Sequence, residues 1–341
     1  MNVLVTGSEG YIGSRLALRL ETLGHLVEGI DSGFYKEGNL YKSEAAYKST
    51  MPKDIRDITS DDLSGFDAVV HLAELSNDPL GEMNPEITCQ INHLGSVELA
   101  KKCRDAGVSR FIYFSSCSVY GIGGADTLKT EESETNPQTT YANCKVLSER
   151  DIADLADEKF SPTFLRNATV YGPSARMRFD IVVNNLTGMA WTESEINLVS
   201  DGSPWRPLVH IEDIIEVVEL FLSSPIERIH NQIINIGFTS ENYQIREIAE
   251  IIQEVFPDCK VSLGTTDHDN RSYRVSFDKL RDLFPGFSQK WNLREGIVQL
   301  REFYKDIGLS KEVFTDSPYT RLKHLKKLLA EGRLNDQLYW M

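Results

Sequence analysis

Nowhere in the 341 residues do apolar side chains run on for the roughly 18 positions that a membrane-spanning helix needs. The opening MNVLVTGSEG has no basic stretch ahead of its apolar residues, so no signal peptide is expected. Cysteine is scarce: Cys89, Cys103, Cys117, Cys144 and Cys259 stand apart, with no CxxC pair. That spacing argues against a disulfide framework or a metal site, and for a reducing, cytoplasmic setting. There the Asn167-Ala168-Thr169 glycosylation signal has no meaning. Positive charge is also short, 36 Lys and Arg against 51 Asp and Glu, for a net charge of −15. Such a field repels nucleic acid and anionic membranes, and an anionic ligand would need local cations to overcome it. Internal repeats and low-complexity linkers are absent.

What is present is ordinary globular material, 41% hydrophobic and 26% charged. The chain opens as a strand (2–6), a glycine turn, a helix (12–23) and a second strand (26–30). The later apolar runs DAVVHLA, RFIYFSS, PTFLRNATVYG and NQIINIG read as buried strands. Between them lie helical patterns, GSVELAKKCRDAG and YANCKVLSERDIADLAD. Strands alternating with helices predict an α/β fold, a Rossmann doubly wound parallel sheet with right-handed crossovers. After Gly172 the pattern loosens, predicting a smaller α/β part built for substrate. The expected division is a dinucleotide-binding domain at 1–170 that also takes in about 207–237. The substrate part would comprise 171–206 and 238–305, and a helical tail would follow at 306–341.

Residues 6–13, TGSEGYIG, space Gly7, Gly10 and Gly13 between a strand and a helix. Glycine there lets backbone approach a pyrophosphate at the helix N-terminus, where free amides and the helix dipole favour an anion. Asp31, 18 residues beyond Gly13, ends the second strand, where a carboxylate accepts both ribose hydroxyls and repels a 2′-phosphate. NAD is therefore expected rather than NADP. Tyr141 and Lys145 stand four apart on one helix face. An ammonium beside a phenol favours the phenolate, and such a tyrosine can take a proton from a secondary alcohol and return it. Ahead of them, the strand RFIYF ends in the hydroxyl- and thiol-bearing cluster Ser115, Ser116, Cys117 and Ser118.

With these elements in hand, the chain resembles the extended short-chain dehydrogenases/reductases that act on nucleotide sugars, of which UDP-galactose 4-epimerase is the best-known member. The resemblance runs from residue 2 to about 305. It rests on TGxxGxIG at Thr6–Gly13, the aspartate Asp31, and the pair Asp54-Ile55 near the adenine. It continues through HLA at His71–Ala73, Asn92 with Gly95 and Ser96, the strand end Ser115–Gly121, and YxxxK. The resemblance implies NAD held by Gly7, Gly10, Tyr11, Ile12, Gly13, Asp31, Asp54, Ile55, Leu72, Ala73, Asn92, Tyr141 and Lys145. It assigns catalysis to Ser116, Tyr141 and Lys145, leaving Ser115 and Ser118 to satisfy local backbone. A nucleotide-diphosphate sugar would be held by Thr169, Asn185 of the segment Asn184–Leu186, Arg206 and Arg271.

Departures from the family pattern bear on the chemistry. Thr169 stands where an asparagine is usual, and Ser272, Tyr273 and Arg274 replace the Pro-Gly-Asp that follows the family's arginine. Glu74 follows HLA in place of a small residue; it reads either as an acid/base or cation stabiliser beside the nicotinamide, or as a carboxylate paired with a cation or with solvent. Cys117 reads either as a small buried hydrophobe or as a proton donor for a ring carbon. The dehydratases of the family carry Asp-Glu where this chain has Cys117 and Ser118, and the decarboxylases carry Glu at the Ser118 place. The resemblance thus points to a 4-epimerase, with a ketoreductase or dehydrogenase, a dehydratase and a non-catalytic NAD-binding scaffold as alternatives. It also implies a homodimer through the two helices at GSVELAKKCRDAG and YANCKVLSERDIADLA. The basic RLKHLKKLL of the tail lies outside it and could clasp its own subunit, a partner subunit or another protein.

Overall fold

The computed structural model describes residues 1–40, 47, 49–124, 127–265 and 271–341. Seven strands form the central sheet: β1 (Asn2–Thr6), β2 (Leu26–Asp31), β3 (Met51–Pro52), β4 (Ala68–His71), β5 (Arg110–Ser116), β6 (Ser161–Asn167) and β7 (Gln232–Ile236). Their order is β7-β6-β5-β4-β1-β2-β3, and every pair is parallel. The expected doubly wound sheet is therefore present. Its inner strands are apolar on both faces because helices cover both, and Val3, Leu4, Val5, Val69, Val70, Phe111 and Ile112 are fully buried.

The chain reverses direction of winding between β1 and β4, which opens a crevice at the strands' carboxyl ends. Side chains brace that point. Thr6 shares a 2.6 Å hydrogen bond with the ring of His71, whose other nitrogen meets Ser96 at 2.8 Å. Burial pushes the His71 imidazole down to about 3, so it stays neutral and serves as a strut.

Helix α1 (Gly13–Thr22) follows β1; α2 (Ser96–Asp105) and α3 (Thr140–Ala153) flank β5. The segment Cys89–Gly95 ahead of α2 is wound as a π-helix, so this helical region begins earlier than GSVELAKK suggests. PTFLRNATVYG is not one strand. β6 ends at Asn167, the Ala168 amide bonds the Ile236 carbonyl at 2.9 Å, and Thr169–Tyr171 joins a separate three-stranded sheet with Trp205–His210 and Asn242–Gln244. Helices α4 (Val182–Glu193), α6 (Ile245–Val255) and α7 (Leu293–Asp306) belong to this region, while α5 (Ile211–Ser223) lies against α1, where Arg15 and Arg19 reach Glu212 and Glu219. Among the described residues no helix is long and apolar enough to cross a membrane.

Of the three roles open to the tail, the structure shows packing on its own subunit. Helix α8 (Arg321–Ala330) inserts Leu325 and Leu328, and the following turn adds Leu334 and Leu338, to the core cluster that also holds Leu4, Ile30, Val69 and Phe111.

Candidate active site

One cleft runs along the β1/β4 crevice. Its floor is the glycine turn, where Gly7 has φ +71°, a conformation costly to residues with a Cβ. A Cβ on Gly7 would lie 2.9 Å from the Ala73 amide nitrogen, and one on Gly13 would lie 2.1 Å from the Gly7 carbonyl oxygen. Only glycine leaves this cradle intact, with the first turn of α1 at its rim. These residues fit a dinucleotide's pyrophosphate.

Asp31, Asp54, Ile55, Leu72 and Ala73 line the same cleft, as do Tyr11 and Ile12. Asp31 accepts from the amides of Glu9 and Gly33 at 2.9 and 2.7 Å, which fixes its carboxylate and leaves lone pairs for ribose hydroxyls. Burial nevertheless raises its pKa. Asp54 is held by Arg56 at 2.8 Å, so its carboxylate is committed to that partner while Ile55 supplies apolar wall. Asn92 does not line the cleft. Its amide accepts from the Leu75 N–H at 2.9 Å and donates to the Leu75 carbonyl at 3.0 Å, so any part it has in cofactor binding runs through Leu75.

Tyr141 and Lys145, expected to handle protons, adjoin the cleft through Glu74. Tyr141 and Lys145 sit one turn apart on α3, whose first turn is capped by Thr139. Lys145 lies 5.5 Å from the Tyr141 ring centroid and donates to the Phe114 carbonyl. Its nearest anion is Glu74, 2.5 Å away and 3% exposed, and Glu74 also accepts from the Tyr113 hydroxyl at 2.7 Å. Of the two readings of Glu74, the cation-paired one describes this geometry, and the pair sits at the cleft wall rather than in solvent.

This changes the electrostatics expected for Tyr141. Burial, then the charges of Glu74 and Asp78, hold the phenol above its ordinary range, against the lowering effects of a Ser116 hydrogen bond and Arg178. Lys145 itself is held by Glu74, so the carboxylate stands between the ammonium and open solvent. Burial and two carboxylates thus oppose the lowering expected from a neighbouring ammonium.

The strand-end cluster divides its labour. Ser116 caps the turn Cys117–Tyr120 by accepting from the Ser118 amide at 3.1 Å, and its hydroxyl also meets Tyr141. Ser115 does not satisfy backbone: it donates to Glu149 at 2.5 Å, beside the buried Glu149–Arg166 pair at 2.7 Å. The Ser118 hydroxyl is buried with no partner among the described residues. Cys117 is 1% exposed, its thiol donates to the Arg166 carbonyl at 3.1 Å, and burial pushes its pKa well up. It behaves as a small core residue.

The residues expected at substrate lie beyond the cofactor cleft. Thr169 pairs with Leu208 in the second sheet. Asn185 donates to the Phe179 carbonyl at 2.8 Å, while its neighbour Asn184 is fully buried and bonds the Tyr11 hydroxyl at 3.1 Å. Arg206 donates to the Arg271 carbonyl at 2.5 Å, so the two arginines do approach each other, and the Arg271 guanidinium is ion-paired with Asp78.

Cleft residues that motif reading passed over are Lys53, Ser76, Arg178 and Arg321. Arg178 sits in the run ARMRFD, bound to Asp180 at 2.9 Å and to the Ser76 carbonyl at 3.1 Å. The only sequence signal was cationic side chains in an acidic chain.

Residues 3–237 match the family model described as the NAD dependent epimerase/dehydratase family. A protein named UDP-glucose 4-epimerase from Mycolicibacterium smegmatis is 30% identical over 325 residues, spanning 90% of this chain and 99% of that one. A UDP-N-acetyl-alpha-D-glucosaminuronate decarboxylase from Bacillus cytotoxicus is 26% identical over 308 residues, 88% of this chain and 90% of that one. The solved structure of MoeE5 in complex with UDP-glucuronic acid and NAD superposes with TM-score 0.76 at 26% identity, covering 90% of this chain and 99% of that chain.

Proposed function

The chain belongs to the NAD-dependent epimerase/dehydratase family of nucleotide-sugar enzymes, and from that premise we propose that it is a nucleotide-sugar 4-epimerase. The observation that carries the choice is the end of β5. Elimination or decarboxylation calls for an ionisable acid/base next to Ser116, and this chain has Cys117, buried and bonded to a backbone carbonyl, then Ser118. A 4-epimerase needs no such group, because a transient 4-ketone has only to turn over and be reduced on its other face.

The glycine turn with Asp31, Ile55, Leu72 and Ala73 would hold NAD. Bound NAD supplies a hydride sink that returns what it takes, so the cycle has no net redox change. Ser116 hydrogen-bonds the reacting oxygen and passes its proton to Tyr141, which later gives it back. Glu74 anchors Lys145 and sets the field at the phenol. Arg206 and Arg271 bind the sugar nucleotide's diphosphate, with Thr169 and Asn185 beside it, and Arg271 must exchange Asp78 for that anion. The active form is a homodimer, with α2 and α3 as the paired faces.

Glu74 favours a second reading. A buried carboxylate at the cleft wall, its pKa raised by burial, could exchange a proton at C3 or C5 of a ketosugar. Incubating the purified enzyme with UDP-, dTDP-, GDP- and CDP-sugars in deuterated water separates the two by NMR. A 4-epimerase gives the C4 epimer without deuterium, whereas label at C3 or C5 carries the second reading. Release of NADH would instead indicate a dehydrogenase. Tyr141→Phe should lower kcat by about 10²–10⁴ with the substrate that turns over.

A further inference from the structure

The segment after residue 305 matched no motif, and part of it forms a wall of the cofactor cleft. Arg321, the first residue of α8, lines that cleft together with the glycine turn, Asp31 and Tyr35. Its side chain is 3% exposed. The guanidinium lies 4.0 Å from the Tyr35 ring centroid and donates to the carbonyls of Pro318 and Arg176, at 3.2 and 3.4 Å.

Its charge is not answered in the way its neighbours' charges are. Arg176 has Glu9 at 3.4 Å and Arg178 has Asp180 at 2.9 Å. Among the described residues no carboxylate stands within ion-pair distance of the Arg321 guanidinium. Asp180, whose charge reaches Arg321, is occupied by Arg178, by the Asn77 amide at 2.9 Å and by the Arg321 backbone N–H at 3.2 Å. Burial and the adjacent Arg178 cation depress Arg321 to about 10, against the raising effects of Tyr35, Asp180 and Asp31. A buried cation with no carboxylate in direct contact is poorly compensated, and one that faces a cleft is relieved when an anion enters.

Helix α8 and the residues after it tie down the loops at the same end of the cleft. Trp340 donates to the carbonyl of Ser32 at 2.6 Å, and His324 meets the carbonyl of Phe34 at 2.9 Å. Arg56, which holds Asp54, donates to the Gln337 carbonyl at 2.9 Å and lies 4.0 Å from the Tyr339 ring centroid. Ser32, Phe34 and Asp54 all line the cleft.

We propose that Arg321 is a phosphate receptor for the dinucleotide's diphosphate, and that residues 317–341 form a clasp that retains the cofactor in the cleft. A guanidinium suits phosphoryl oxygens through paired N–H donors. The cofactor is the diphosphate intended, because Arg321 shares its cleft with the glycine turn and Asp31, whereas Arg206 and Arg271 lie outside it. The inference rests on NAD as the ligand of this cleft and is independent of which sugar reaction follows.

The test is calorimetric titration of cofactor-stripped enzyme with ADP-ribose, adenosine and UDP, using the wild type, Arg321→Gln and Arg321→Lys. Arg321→Gln should weaken ADP-ribose by about tenfold or more, the usual scale for losing a charge-assisted pair, while Arg321→Lys recovers part of the loss. Adenosine and UDP affinities should hold within about twofold. Unchanged ADP-ribose binding overturns the proposal. So does an equal loss on adenosine, which would mark a packing role, or a loss confined to UDP, which would assign Arg321 to the substrate's diphosphate. Should Arg321→Gln not fold, hydrogen exchange on the wild type decides: ADP-ribose should slow the amides of 321–330, and unchanged exchange sinks the clasp.

Discussion

At Tyr141 the balance of burial, Glu74 and Asp78 against Ser116 and Arg178 leaves a phenol that is neutral in the free enzyme. As the base proposed above, it must lose its proton before it can act. kcat/KM, which reports the free enzyme, should therefore climb with pH toward the alkaline side. Glu74→Gln removes a negative neighbour of the phenol and leaves Lys145 without its anion. The rising limb should then move to lower pH by about one unit, read from kcat/KM profiles of the two proteins. Under the second reading of Glu74, the same variant would lose turnover at every pH. That Glu74 takes a cation was one of two readings of the sequence, but that the cation is Lys145 was not legible. YxxxK shows that Tyr141 and Lys145 share a helix face, but the anion that claims Lys145 comes from the end of β4, far away along the chain. Local spacing names the residues of a site more readily than it names the charges around them.

Among the elements, α5 carries a buried acid outside the cleft. Asp213 is 1% exposed, accepts from the Lys290 amide at 3.2 Å, and is pushed up to about 7 by burial and by Glu216. With the folded pKa above the unfolded one, its contribution is intact at low pH and is lost as pH rises toward and through 7. Asp213→Asn keeps the acceptor and removes the titration. It should match the wild type near pH 4 and melt about 2–5 °C higher at pH 8, by calorimetry. The strands themselves were legible, because β1, β4, β5 and β7 are apolar on both faces and bounded by turn residues. The break at Ala168 was not, since nothing in NATVY marks the point where the chain leaves one sheet for another. The π-helical turn before α2 was hidden for a similar reason: its residues suit an α-helix equally well.

For the molecule as a whole, the tail is structural rather than appended. Leu328 is fully buried in the core that backs the central sheet. Leu328→Ala should cost about 2–5 kcal/mol, and denaturant unfolding followed by far-UV dichroism and tryptophan fluorescence should stay a single transition. A tail that melted separately would contradict that packing. RLKHLKKLL reads as a basic surface helix by composition, and its lysines are indeed on the outside. The apolar positions and Arg321 on the other side gain meaning only from what the fold sets against them.

Gly7 and Arg321 border one cleft although nearly the whole sequence separates them. A ribosome that has released residues 1–305 has delivered the parallel sheet and α3, yet not the Arg321 wall of the cleft. A chain stopped between residues 305 and 321 would lack that wall and also the buried Leu325 and Leu328, so it would be short of core as well as of coenzyme contacts.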